Sequence, residues 1–303
     1  MKTEHLNKLF ALQERNNTLQ VRAGEGGIPV IDIRNRFACA RISLQGAHVL
    51  SWKPEGREDV IWLSEDAEFA IGKSIRGGIP ICWPWFGAHE TNKDFPAHGF
   101  VRTTKWQISS TEALQDGSTR IHFTTTAQPE NRMMWPADTT VRYQITIGKE
   151  MELVLVTTND GARTITIGQA LHTYFHVGDI SQIFLHGLDA TEYLDKPDNF
   201  NRKTQRGALT IDDEVDRIYL DTAGDCVLED RSLDRKIIIS KSGSHSTVVW
   251  NPWKTVAEKM GDLGRDGYRK MLCVESCNAA DDVVTLEAGG EHRLRVQYEV
   301  QAL

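Results

Sequence analysis

The sequence predicts an all-β protein, an antiparallel sandwich with few short helices, on three observations. Apolar and polar residues alternate with period two over long stretches, as strands with one buried face require. Helical periodicity is scarce, and Gly-, Pro- and Asp-rich turns separate the candidate strands. The clearest alternation runs Thr140-Val141-Arg142-Tyr143-Gln144-Ile145-Thr146-Ile147, with Val141, Tyr143, Ile145 and Ile147 on one face. Leu294, Val296, Tyr298 and Val300 repeat the scheme, and Ile121 and Phe123 set against His122 and Thr124 give a third instance.

In chain order, a first helix is expected over Leu6 to Gln13, and residues 22–29 read as a loop joining an N-terminal extension to the first sheet strands. Further strands are expected over Phe37 to Leu44, Glu152 to Thr157, Arg163 to Leu171, Ile183 to Leu185, Lys236 to Ile239, Thr247 to Trp250 and Met271 to Glu275. Pro252 is suited to open a short helix through Thr255 to Met260, which Gly261 would stop. A chain of 303 residues has the length of two average domains, yet one β unit can take ~200–250 residues. With no low-complexity linker, internal repeat or composition shift, we expect an extension over 1–28 and a single domain over 29–303.

The formal charge of −7, from 42 acidic and 35 basic residues, argues against general affinity for nucleic acid or an anionic membrane surface. Any anionic ligand must then meet a local basic patch. No apolar run approaches a membrane span, and Glu4, Glu14 and Arg15 interrupt the stretch a signal peptide would need. The expected setting is cytoplasmic. Cys39, Cys82, Cys226, Cys273 and Cys277 are odd in number and irregularly spaced, which suits reduced, buried thiols better than a disulfide framework. Cys273 and Cys277 would need two further ligands to hold zinc, and no matching pair stands out, so no metal is expected.

Candidate chemistry concentrates between Ser74 and Trp106 and at two later strand ends. Trp83, Trp85 and Phe86 are either platforms for the apolar face of a sugar ring or a rigid hydrophobic corner. Arg76 precedes two glycines and Arg102 follows His-Gly-Phe-Val; each is a candidate phosphate clamp or a solvated surface charge. His172 shares a strand face with Thr166, Gly168 and Ala170, and small neighbours leave room there for a ligand beside a group that titrates near neutrality. The bland reading is a satisfied, half-buried histidine. His172 and His176 have the spacing of two helical metal ligands, but their β context argues against it. Glu275 ends an apolar run without a basic neighbour, so it is either ion-paired elsewhere or a carboxylate whose affinity for protons burial has raised. Asp216 lies in a segment that could be ordinary turn chemistry. No nucleophile elbow, dinucleotide fingerprint or Walker loop is present.

Taken together, the segments LQGAHVLSWKP, SIRGGIPICWPWFG, PAHGFVR, ALHTYFHVGDI, VDRIYL, WNPW and MGDLGRDGYRKMLCVES resemble the aldose 1-epimerase (mutarotase) superfamily, nearest its hexose-6-phosphate branch. The resemblance runs in order from about Ile31 to Val300 and implies a galactose-mutarotase-like β-supersandwich. It implies an isomerase that interconverts α and β anomers of glucose 6-phosphate or related hexose 6-phosphates without a cofactor. By the same resemblance His172 is the catalytic acid and Glu275 the base, and activity should fall when acid neutralises Glu275 or alkali discharges His172. Arg76 and Arg102 would contact the 6-phosphate, His98 would lie by the ring, and Asp216 would be a further substrate contact. Ala97 departs from the pattern, since some members carry a polar residue before His-Gly. The only partner expected is the sugar phosphate, with the chain a monomer. Two rival readings are a non-catalytic sugar-phosphate-binding or regulatory protein, which would have no reason to keep both His172 and Glu275, and a glycoside hydrolase, which would ordinarily need two flanking carboxylates.

Overall fold

Strand alternation produces two large sheets packed face to face, with a smaller sheet built from the start of the chain. A computed structural model describes residues 2–14, 17–126 and 129–303; Arg15, one of the charges read against a signal peptide, lies outside them. One eight-stranded sheet has the order Ile183–His186, Cys226–Asp230, Arg235–Ser242, Glu291–Ala302, Met151–Asn159, Thr139–Ile147, Thr119–Thr126 and Gln107–Ala113. Its centre pairs Leu153 with both Ile145 and Val296, so the apolar residues predicted on three separate strands fall in one row. The facing sheet, which carries the site, runs Asn201–Thr204, Glu192–Asp195, Val215–Tyr219, Ser246–Asn251, Met271–Asn278, Gln169–Leu171 and Ile81–Cys82, with Tyr174–His176 also paired to Met271–Asn278. All these pairings are antiparallel.

The main core lies between the large sheets. Leu272 and Val274 point into it from the site sheet, and Leu153, Leu155 and Val296 meet them from the other. The five-stranded sheet adds Ile31, Ile33, Ile42 and Trp52 to the same core. No helix among the described residues is long and apolar enough to cross a membrane.

Four sequence expectations are corrected. The first helix spans Thr3–Phe10, and the chain is already extended at Leu12–Glu14, so the helix ends a turn earlier than its apolar spacing suggested. Residues 22–29 are not simply a connecting loop: Asn17–Ala23 pairs with Pro29–Arg34, and Leu19 and Val21 are buried in the main core. The stretch Arg163 to Leu171 is not one strand. It divides at Gly168, where Ile165–Ile167 pairs with Val284–Leu286 and Gln169–Leu171 joins the site sheet. The second helix spans Trp253–Ala257 and ends before the Met260 expected of it.

Candidate active site

The register of the site sheet assembles the site row by row. Asp216 lies opposite Trp250, Trp250 opposite Cys273, and Cys273 opposite Tyr174. In the next row Ile218 faces Val248 and Val248 faces Glu275. Side chains two apart on a strand share a face, so Glu275 projects from the same surface as Cys273 and Cys277. His172 occupies the interruption between Gln169–Leu171 and Tyr174–His176, both paired to the Glu275 strand. Its backbone N–H donates to the Pro80 carbonyl at 3.0 Å.

This places His172 Nε2 3.3 Å from Glu275 Oε1, with both groups withdrawn from solvent. The Tyr174 ring stacks on His172 at 4.9 Å, and Trp250 meets it edge-on at 6.2 Å. Burial pushes the Glu275 carboxyl well above the usual carboxylate range; Asp216 adds to the shift, while Lys196 and Arg102 oppose it. Burial likewise holds His172 well below its ordinary value, with His98 and the Arg102 and Arg76 charges acting in the same direction. Both shifts favour the uncharged forms, an unprotonated imidazole beside a protonated carboxyl. The imidazolium–carboxylate form expected from the sequence holds the same number of protons, displaced across one short contact.

His98 is brought beside this pair, its ring 5.6 Å from that of His172 and edge-on to Phe86 at 4.8 Å. Burial holds its pKa down to about 3, so the ring is neutral. The Gly87 N–H donates to Nδ1 at 3.3 Å, which leaves the ring proton on Nε2. Arg76 donates from Nε to Asp262 at 3.0 Å and from Nη1 to the Tyr174 hydroxyl at 3.1 Å, and these partners raise its already high pKa against the opposing effect of burial. Arg102 donates to the Ala97 carbonyl at 2.9 Å. Asp216 is paired with Lys196 at 2.5 Å. A cavity of about 460 Å³ beside Arg102 has Lys73, Ser74 and Asp262 on its walls.

The aromatic cluster resolves unequally. Trp83 is buried in the main core and donates to Thr157, and Trp85 packs against Phe95 and Phe100, so both follow the hydrophobic-corner reading. Phe86 meets His98 with its ring, and Trp83 reaches the same residue only through its backbone N–H, which donates to the His98 carbonyl at 3.2 Å. His172 and His176 are divided by the strand segment between them, and His176 instead contacts the Asp59 carbonyl. All five cysteines are free, and four are buried. Sequence reasoning missed Tyr174, Trp250, Lys196 and Asp262. The first two had a signal, since Tyr174 shares the strand parity of His172 and Trp250 that of Val248; the others come from irregular segments that carry none.

A buried imidazole and carboxyl in contact on a sheet, beside a neutral histidine donor and two guanidinium groups, can support acid–base chemistry. The chain belongs to the aldose 1-epimerase family, whose model matches residues 29–299, and is an isomerase of the mutarotase type. It is 36% identical over 279 residues to the Escherichia coli (strain K12) protein named "Putative glucose-6-phosphate 1-epimerase", covering 91% of this chain and 92% of that one. The Cenchrus ciliaris protein of the same name is 35% identical, covering 86% and 81%. Among solved structures, a Salmonella typhimurium protein titled a putative mutarotase superposes with a TM-score of 0.88 at 30% identity, covering 99% of each chain. A Lactobacillus casei galactose mutarotase-like protein shares the fold at a TM-score of 0.73 and 17% identity, covering 90% of this chain and all of that one (100%).

Proposed function

We propose that the substrate is a hexose 6-phosphate, glucose 6-phosphate in the first instance, and that His172 and Glu275 exchange its anomers. The observation that carries this reading is the His172–Glu275 contact at 3.3 Å within reach of the Arg76 and Arg102 charges. Glu275, as carboxylate, takes the proton of the C1 hydroxyl while His172, as imidazolium, gives one to the ring oxygen. The C1–O5 bond breaks, the aldehyde rotates about C1–C2, and closure on its other face returns both protons. Substrate hydroxyls that hydrogen-bond to the charged forms would offset the burial that favours the neutral pair. His98 Nε2–H would donate to a ring substituent, and Asp216 would accept from one. Arg76 and Arg102 would bind the phosphate, with the cavity beside Arg102 as its place.

The test is anomer exchange followed by NMR on glucose 6-phosphate and on glucose. Each positioned proton transfer typically contributes ~10²–10⁴ in rate. His172→Asn and Glu275→Gln should therefore lower kcat by at least about a hundred-fold with circular dichroism unchanged. Full exchange in either variant would remove the mechanism. Equal kcat/KM for the phosphorylated and free sugar would remove the proposed substrate class.

A further inference from the structure

The site face holds a sulfur that anomer exchange does not use. The Cys273 thiol, a His172 ring nitrogen and a Glu275 carboxylate oxygen all lie within 4.8 Å of one another, and all three residues are buried. The register produces this: Cys273 stands two positions before Glu275 on one strand face, and its cross-strand partner Tyr174 stands two after His172. Sequence spacing concealed the set, because Cys273 and Cys277 lacked a matching pair until the fold supplied a histidine and a carboxylate.

A second observation concerns the imidazole. Among the described residues, no other residue gives the buried His172 Nδ1 a hydrogen-bond partner, although a buried ring nitrogen normally finds one. Resident metal sites usually anchor the second nitrogen of a ligating histidine on a carbonyl or carboxylate. The lack of that anchor fits an ion that comes and goes better than one built in.

We propose that His172, Cys273 and Glu275 form an inhibitory zinc site. A thiolate, a neutral imidazole and a carboxylate are a zinc-type donor set, with a fourth position left for water or a sugar hydroxyl. Binding requires the thiol, the imidazole and the carboxyl in their unprotonated forms, and any protons displaced go to solvent. The ion then occupies both proton-transfer groups, and anomer exchange stops. Arg102 and Lys196, whose charges reach Glu275, oppose any cation there. Mg²⁺ and Ca²⁺, which gain little from sulfur, are therefore expected not to inhibit. Inhibition rests on the acid–base reading above, whereas metal binding does not.

The test titrates the full chain, in a non-thiol reductant, with Co²⁺ as a spectroscopic probe and Zn²⁺ as competitor. One Co²⁺ per chain should give a near-ultraviolet thiolate-to-cobalt band; Zn²⁺ should remove the band and inhibit exchange, and a chelator should restore activity. Losing even an outer-shell partner costs a metal site about 10–100-fold in affinity, so Cys273→Ser should need at least about ten-fold more Zn²⁺ for half-inhibition. It should also lose the band and keep its anomer exchange, with Cys273→Ala as a second variant. Glu275→Gln should weaken Co²⁺ binding, read from the band alone. No band in the wild type overturns the proposal, as does a band undiminished in Cys273→Ser, which would assign the sulfur to Cys82 or Cys277. Either result leaves the acid–base reading intact. A normal band in a wild-type protein that exchanges no anomers would overturn the acid–base reading and keep the metal site.

Discussion

The protonation of His172 and Glu275 sets how the candidate site responds to pH. Burial lowers the imidazole and raises the carboxyl, so both shifts favour the neutral pair over the charged one. Acid adds a proton to His172 only below the ordinary imidazole value of about 6.5. Alkali removes the carboxyl proton only above the usual carboxylate range. In the free enzyme the acid limb of kcat/KM should accordingly have its midpoint below about pH 6.5. A midpoint of acid loss at or above that pH, in a steady-state profile, would contradict the assignment. Arg76 is a different kind of residue, held from two sides by Asp262 and Tyr174 and only partly exposed. A hydrogen bond to a charged group contributes about 1.5–3 kcal/mol, so Arg76→Ala should weaken a phosphorylated sugar by roughly ten- to a hundred-fold. Free glucose should change far less; equal loss on both sugars would exclude the phosphate role.

At the scale of elements, the site depends on strands that stop short and loops that approach closely. Gly99 has a positive φ of 70° between His98 and the Phe100–Arg102 segment. A Cβ there would lie 1.8 Å from the Trp83 carbonyl oxygen, a backbone atom with no freedom to move aside. Gly99→Ala should cost more than the roughly 1–2 kcal/mol of left-handed φ alone, read from urea unfolding, and should raise KM by displacing His98 and Arg102. An unchanged unfolding midpoint would mean that the loop yields. Such elements explain what was readable in the sequence. Alternation alone placed Tyr143 and Ile145 in the core and put His172 on the face of Ala170, because face parity is a local property. The break at Gly168 was hidden, since the residues on either side alternate as one strand would while pairing in different sheets. The meeting of His172 with Glu275 is a matter of strand neighbourhood, which no local pattern encodes; only the motif resemblance joined them beforehand. Lys196 and Asp262, from a short 3₁₀ turn and an irregular segment, lacked even a parity signal.

At the scale of the whole molecule, the second large sheet braces the segment that carries His172. Tyr298 reaches across the core to Thr173, hydroxyl to hydroxyl at 2.5 Å. Arg235, from the same sheet, donates to the His176 and Asp59 carbonyls at 2.6 and 3.0 Å. Lys241 donates to Thr247 at 2.8 Å and to the Ser246 carbonyl at 2.7 Å, on the strand beside Glu275. These polar ties fix one sheet against the other at the short segment that holds the imidazole, where regular strand pairing is interrupted. Tyr298→Phe removes one tie while keeping the ring that packs on Phe175 at 5.1 Å. The lost hydrogen bond should cost about 1 kcal/mol of stability, because Thr173 keeps a weaker alternative in the Leu171 carbonyl at 3.4 Å. If the tie also positions His172, kcat should fall on the order of ten-fold with KM unchanged, within the hundred-fold that a misplacement of about 1 Å can cost. Denaturant unfolding and steady-state anomer exchange separate the two effects. Lost stability with kcat intact would make Tyr298 a packing residue alone and leave the orientation of His172 to Tyr174 and the Pro80 carbonyl.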